Sequence, residues 1–159
     1  MADTRLTFGA DIGAAAVREA NRSGNATSGV FYGIAFAADV GAVVTPSTAI
    51  TLRMFAIRGG EGPPEGDFFH VTTTFVGPCV EVRPAPRLQV SAGLGIGFFD
   101  DPHRAGYGAD LRIGYSVWQA QQNELQLAIE SAPTLVPETE ARDSRDVVNV
   151  ALLIAYRRR

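Results

Sequence analysis

The chain has 159 residues, enough for a single domain built as a full barrel or sandwich, and residues 1–159 read as one such domain. Its hydrophobic content is 46%, yet no run of about 18 apolar residues occurs, which excludes a transmembrane helix. A membrane barrel stays open, because only alternate residues of its strands meet lipid, while a net charge of −3 gives a nucleic-acid partner no electrostatic support.

All 14 basic residues are arginine, whose planar guanidinium forms fixed forks with carboxylates and suits buried, paired positions. Cys79 is the sole cysteine, so no internal disulfide is possible and the redox compartment stays open. The sequence starts Met-Ala-Asp with no apolar leader, so export requires that a leader was removed.

The first strand is expected over residues 5–14, where Leu6, Phe8, Ala10, Ile12 and Ala14 alternate with Arg5, Thr7, Gly9, Asp11 and Gly13. A polar stretch rich in Asn, Ser and Gly, residues 18–29, reads as a long loop. The second strand, residues 31–44, puts Tyr32, Ile34, Phe36, Ala38, Val40 and Ala42 on one face, and Thr45-Pro46-Ser47-Thr48 follows as a tight turn. The third, residues 49–58, sets Ile50, Leu52, Met54 and Ala56 against Thr51, Arg53 and Phe55, and residues 59–67 form a second loop of breakers.

The fourth strand, residues 68–83, is the least regular. Phe69, Val71, Thr73 and Phe75 hold one parity, and Val80 and Val82 the other. A bulge at Gly77-Pro78 would restore a single oily face and leave His70, Thr72, Thr74, Cys79 and Glu81 inward. After a short turn over residues 84–87, Leu88–Phe99 alternates over its whole length. Leu88, Val90, Ala92, Leu94, Ile96 and Phe98 oppose a face of Gln, Ser, Gly and Phe99 that carries no charged fringe. It is also longer than the ordinary strand of about five or six residues. A third loop covers residues 100–106, the sixth strand residues 107–118, a turn residues 121–124, the seventh strand residues 125–131 and a fourth loop residues 132–145. The eighth strand, residues 147–156, carries Val148, Val150, Leu152, Ile154 and Tyr156 on its oily face, and three arginines follow.

Eight strands thus alternate long and short connections, so four polar loops fall at one end and three tight turns at the other. The pattern predicts an all-β fold, an eight-stranded antiparallel up-and-down barrel in meander order. Closing the last strand on the first removes both sheet edges. In its strand count, its loop asymmetry and its final strand the chain resembles the small eight-stranded bacterial outer-membrane barrels of the OmpA/OmpX type. The resemblance implies a transmembrane barrel in the outer membrane of a Gram-negative cell, with short periplasmic turns and four longer extracellular loops. It implies lipid bilayer and lipopolysaccharide as surroundings. It also implies the barrel-assembly machinery as a partner, through Val148, Val150, Leu152, Ile154 and Tyr156. In that family the terminal aromatic ends the chain, whereas here Arg157-Arg158-Arg159 follows it.

By parity the lumen receives Arg5, Asp11, Asp39, Arg53, Glu81, Asp110, Arg112 and Glu130. Unpaired buried charges are costly, so these are expected to form one ion-pair network, with Arg53–Glu81 and Arg112–Glu130 as neighbours. Inward glycines would make room for Phe55, Phe99 and the guanidiniums. Tyr32, Phe69, Phe98 and Tyr107 at the loop ends, with Tyr115 and Tyr156 at the turn ends, fit two aromatic girdles.

Signals for chemistry are weak. Gly93-x-Gly95-x-Gly97 lies inside a strand, not between strand and helix as a nucleotide loop requires. Asp100, Asp101 and His103 are expected to be solvated loop residues, not metal ligands. His70 has no serine beside it. The expectation is a monomeric, non-enzymatic barrel without cofactor or metal, its lumen filled by side chains, acting structurally or through its loops. The alternatives are a soluble lipocalin-like barrel with its oily face inward around an apolar ligand, a narrow pore, and a lipid-modifying outer-membrane enzyme.

Overall fold

The computed structural model describes residues 5–21, 30–61, 69–99, 101–137 and 145–159. It contains β1 (Arg5–Asn21), β2 (Val30–Thr45), β3 (Thr48–Glu61), β4 (Phe69–Ala85), β5 (Leu88–Phe99), β6 (Asp101–Ala120), β7 (Asn123–Ser131), β8 (Thr134–Val136) and β9 (Arg145–Arg158). Neighbours in sequence pair antiparallel, and β9 closes on β1 from Phe8↔Arg158 to Asn21↔Arg145. Both β7 and β8 lie between β6 and β9, so together they make one stave of a closed eight-stranded meander barrel. Asn149 bridges the break between them. Its side-chain amide donates to the Ala132 carbonyl and its Oδ1 accepts from the Ala132 N–H, each at 2.7 Å. That side chain supplies the bonds a continuous ladder would have made.

The period-two pattern becomes an inside and an outside. Leu6, Ile12, Leu52, Leu94, Ile113, Leu127, Leu152 and Ile154 are exposed on the outer wall, while Arg53, Arg112, Arg157, Glu81, Glu130, Gln89 and Gln126 are fully buried. This is the reverse of a lipocalin-type arrangement, which would turn the oily face inward. Water is a poor solvent for such a wall, and lipid a good one.

Two-residue turns at Pro46-Ser47, Pro86-Arg87 and Gln121-Gln122 close the hairpins at the end where both ends of the described chain lie. Gln121 takes a positive φ of 53°, as a tight hairpin demands. At the other end the strands run further than composition suggests. β1 continues to Asn21, β3 to Glu61 and β6 back to Asp101, and β8 occupies part of the expected fourth loop. Pairing of whole neighbouring strands, such as β1 with β9 up to Asn21↔Arg145, carries these polar residues into the ladder. Apart from residues 132, 133 and 137, the remaining parts of the expected loops lie outside the described residues.

The fourth strand departs from expectation. Its pairing with β3 runs without a shift from Thr48↔Val82 to Glu61↔Phe69, so no bulge forms at Gly77-Pro78. Its alignment with β5 is the same on both sides of Pro78, from Val76↔Ile96 to Cys79↔Gly93. Thr73, Phe75, Gly77, Cys79 and Glu81 therefore all point inward, while Thr72 and Thr74 lie half-exposed on the outer face. The inward turn of Phe75 has a steric cause. It pairs in register with Gly97, and a Cβ on Gly108 would come within 2.8 Å of its ring. Gly77 gives room as well, since a Cβ there would lie 2.8 Å from the Phe75 Cζ, whereas the space at Gly97 is taken by the Thr134 side chain. The side chain of His70 lies outside the described residues.

The interior is layered. At the loop end, Val17, Phe55, Ile57, Phe75, Phe99, Val147 and Leu153 are buried in one apolar cluster, with Phe31 and Val136 packed against it. Charged residues fill the middle, and Gln89, Gln126, Ser116 and Glu124 lie towards the turns.

Candidate functional site

Seven of the eight charged residues expected in the lumen are buried there: Asp11, Asp39, Arg53, Glu81, Asp110, Arg112 and Glu130. Arg5 is not among them. It has inward parity, but β1 begins with it, so its side chain is exposed at the rim.

Arg53 is the hub. Its Nη2 donates to Asp11 Oδ2 at 2.6 Å, its Nη1 to Asp39 Oδ1 at 2.7 Å and its Nε to Glu130 Oε1 at 2.9 Å, with a second bond from Nη2 to Glu130 Oε2. Such multiple charge-assisted bonds fix the guanidinium plane. Arg112 Nε lies 3.8 Å from Glu130 Oε2 on the neighbouring β7 and 3.4 Å from Asp11 Oδ2 on the more distant β1. Arg112 also donates to Gln126 Oε1 at 2.9 Å. Asp110 sits at the edge, 4.0 Å from Arg53 Nε and near the Cys79 thiol, whose Sγ is 3.8 Å from its Oδ1.

The pairing expected between Arg53 and Glu81 does not form. Glu81 is engaged instead by Arg157 at 3.5 Å and Arg159 at 3.3 Å. Arg157 also binds Asp39 Oδ1 and, at 3.2 Å, Asp11 Oδ2. Sequence reasoning missed Arg157, although the signal was available. Tyr156 faces outward, so one further step of the alternation turns Arg157 in. Closer to the turns, Arg83 Nη1 pairs with Glu124 Oε1 at 2.5 Å, and Glu124 Oε2 accepts from Ser116 and Gln126 at 3.1 and 3.0 Å.

Gly9 makes this possible. A Cβ there would meet Arg157 Cζ at 2.7 Å and Cδ at 2.8 Å. Gly114 does the same for Arg112, whose Nη1 would lie 2.9 Å from a Cβ. The room expected for guanidiniums is thus found at Gly9 and Gly114, and Phe75 takes room at Gly77 and Gly108. Gly9→Val should lower stability by about 1–3 kcal/mol, the usual cost of overpacking. The unfolding midpoint in micelles measures it, and a loss no larger than that of the outward-facing Ala10→Val would contradict the reading.

Of the girdle residues, Tyr32 and Tyr107 are the most exposed, at 74% and 77%, and both stand on loop-side halves of their strands. Tyr115 and Tyr156 are exposed near the turns, joined by Trp118 and by Phe8, whose ring centroid is 6.3 Å from that of Tyr156. Phe98 is half-buried, and the side chain of Phe69 lies outside the described residues, as do those of Asp100, Asp101 and His103. Among the described residues no group of three or more His, Cys, Asp and Glu side chains could hold a metal.

A closed eight-stranded antiparallel barrel with a charged interior and an apolar outer wall has the architecture of the small transmembrane barrels of the outer membrane. Solved structures of that kind are similar to it. Neisserial surface protein A matches with a TM-score of 0.65 at 11% identity, over 96% of each chain. Ail, the attachment invasion locus protein of Yersinia pestis, matches at 0.59 and 13%, over 96% of this chain and 99% of that one, in a complex with the heparin analogue sucrose octasulfate. The outer-membrane protein OprG of Pseudomonas aeruginosa matches at 0.52 and 10%, over 97% and 96%. At these identities the likeness is one of fold. No protein-family model and no curated protein sequence matches the chain.

Proposed function

We propose that the chain is an integral barrel of the bacterial outer membrane, plugged by its own side chains, that acts structurally or through its extracellular loops and not as a catalyst. The inverted distribution of polarity carries this reading: the fully buried side chains include three arginines and two glutamates, while the outer wall presents Leu, Ile, Val and Tyr. The apolar cluster of Phe55, Phe75, Phe99 and Leu153 at the loop end supports a lumen closed to ions. Tyr32 and Tyr107 at one level, with Tyr115, Trp118 and Tyr156 at the other, support girdles at the two interfaces. Lipid and lipopolysaccharide surround the barrel in this reading, and the outward row Val148, Val150, Leu152, Ile154 and Tyr156 of β9 is what the assembly machinery would engage. The chain works as a monomer.

The test is refolding with and without detergent micelles, read by circular dichroism and by gel mobility before and after boiling. A β-rich species whose mobility changes on heating, seen only with detergent, is the expected result. A β-rich monomer that stays in solution without detergent would overturn it. Lipid A unchanged between cells with and without the protein is expected as well, and an altered lipid A would establish a catalyst.

A further inference from the structure

The turn-end rim holds a second charged feature that the lumen network does not use. Arg5, Arg158, Arg159 and Gln122 ring a recess of about 440 Å³ whose remaining lining is Leu6 and Phe8. The recess is built, not accidental. The Arg159 N–H donates to the Gln122 carbonyl at 2.9 Å and ties the end of β9 to the β6–β7 turn. The Arg159 Nη2 reaches into the lumen to Glu81 Oε2 at 3.3 Å, so the Arg159 guanidinium is already engaged. Arg158 stands in register beside Phe8 and is exposed on the outer side, while Arg5, of inward parity, is exposed at the rim where β1 begins. Among the described residues neither Arg5 nor Arg158 has an ion pair. Leu6 and Phe8 face the lipid side directly above them, and the Phe8 ring lies against that of Tyr156.

Two guanidiniums without an ion pair among the described residues, beside an apolar shelf at a membrane interface, match an amphiphile with an anionic head. Guanidinium forks fit phosphate oxygens in pairs, and the shelf fits the first methylenes of an acyl chain. We propose that this recess binds the phosphate headgroup of an anionic phospholipid of the leaflet at the turn end. The proposal rests on the barrel lying in a bilayer with its turns at that face.

The full chain, refolded in micelles, would be mixed with phosphatidylglycerol and phosphatidylcholine of equal acyl length, and the lipid retained read by native mass spectrometry. One phosphatidylglycerol retained in preference to phosphatidylcholine is expected. Arg5→Gln and Arg158→Gln should each cut that preference roughly fivefold, the worth of one basic residue near an anionic surface. The paired Arg5→Lys, Arg158→Lys chain should keep most of it. Free glycerol phosphate in excess should not displace the lipid, because it lacks the chain that Leu6 and Phe8 hold. Equal retention of the two lipids by the unaltered protein, no response to the Gln variants, or displacement by free glycerol phosphate would each overturn the proposal. A chain that never shows a heat-sensitive band in micelles would sink the membrane reading itself, whereas one that shows the band but no lipid preference sinks only the site.

Discussion

Arg53→Met is expected to remove most of the barrel's stability. The substitution fits the volume of the site but leaves Asp11, Asp39 and Glu130, each within direct bonding distance of the lost guanidinium, as buried carboxylates short of a partner. Breaking one buried ion pair costs about 3–5 kcal/mol, and whole domains are stable by only about 5–15 kcal/mol. Urea titration in micelles, followed by the gel-mobility difference between folded and unfolded forms, should show the midpoint collapse. Adding Glu130→Gln to Arg53→Met removes one charge of each sign and should recover part of the loss. Arg58→Met, five residues further along the same strand and exposed on its outer face, is the control and should change little. Equal midpoints for Arg53→Met and Arg58→Met would mean that the network does not sustain the fold.

That network was legible in the sequence to the extent that alternation is legible. Where strands keep strict period two, as in Leu88–Phe99, the inward and outward sets follow from the residues alone. Alternation fixes the side a residue faces but not its height on the wall. Arg5 has the right parity and the wrong height. Partners also depend on depth and reach. Arg53 passes over Glu81, near its own strand, to reach Glu130 across the lumen. In β4 the rule that apolar residues face lipid misled, because Phe75 finds room against Gly77 and Gly108 that no local pattern announces. Arg157 was hidden for the opposite reason: three arginines in a row look like a charged tail, and only the pairing of β9 with β1 through Phe8↔Arg158 makes them wall residues. The ends of β1, β3 and β6 were misjudged because Asn, Gly and Asp suit loops, yet a barrel's neighbouring strands carry such residues into the ladder.

Phe75→Ala combined with Phe99→Ala should turn a silent barrel into a conducting one. Below the apolar cluster the lumen is lined with groups that attract water. Thr51 Oγ1, Ser91 Oγ, Gln89 Nε2 and Arg157 Nε are buried with no hydrogen-bond partner among the described residues, and such groups are ordinarily satisfied by internal water. What separates this polar column from the loop end is a layer of rings and branched chains, with Phe55 and Phe75 in register on adjacent strands and Phe99 beside Thr73 on the next. Removing two rings takes out the bulk of that layer. Each deletion costs about 3–5 kcal/mol in a well-packed core, so the variant must first be shown to keep its heat-sensitive band. In planar bilayers the unaltered chain is expected to give no discrete current steps, and the folded double variant to give small ones. If the unaltered chain itself conducts, the cluster is not a seal. If the folded double variant stays silent, the closure lies lower, at the ring of Asp11, Asp39, Arg53 and Glu130, where fixed charges of both signs occupy the width of the barrel.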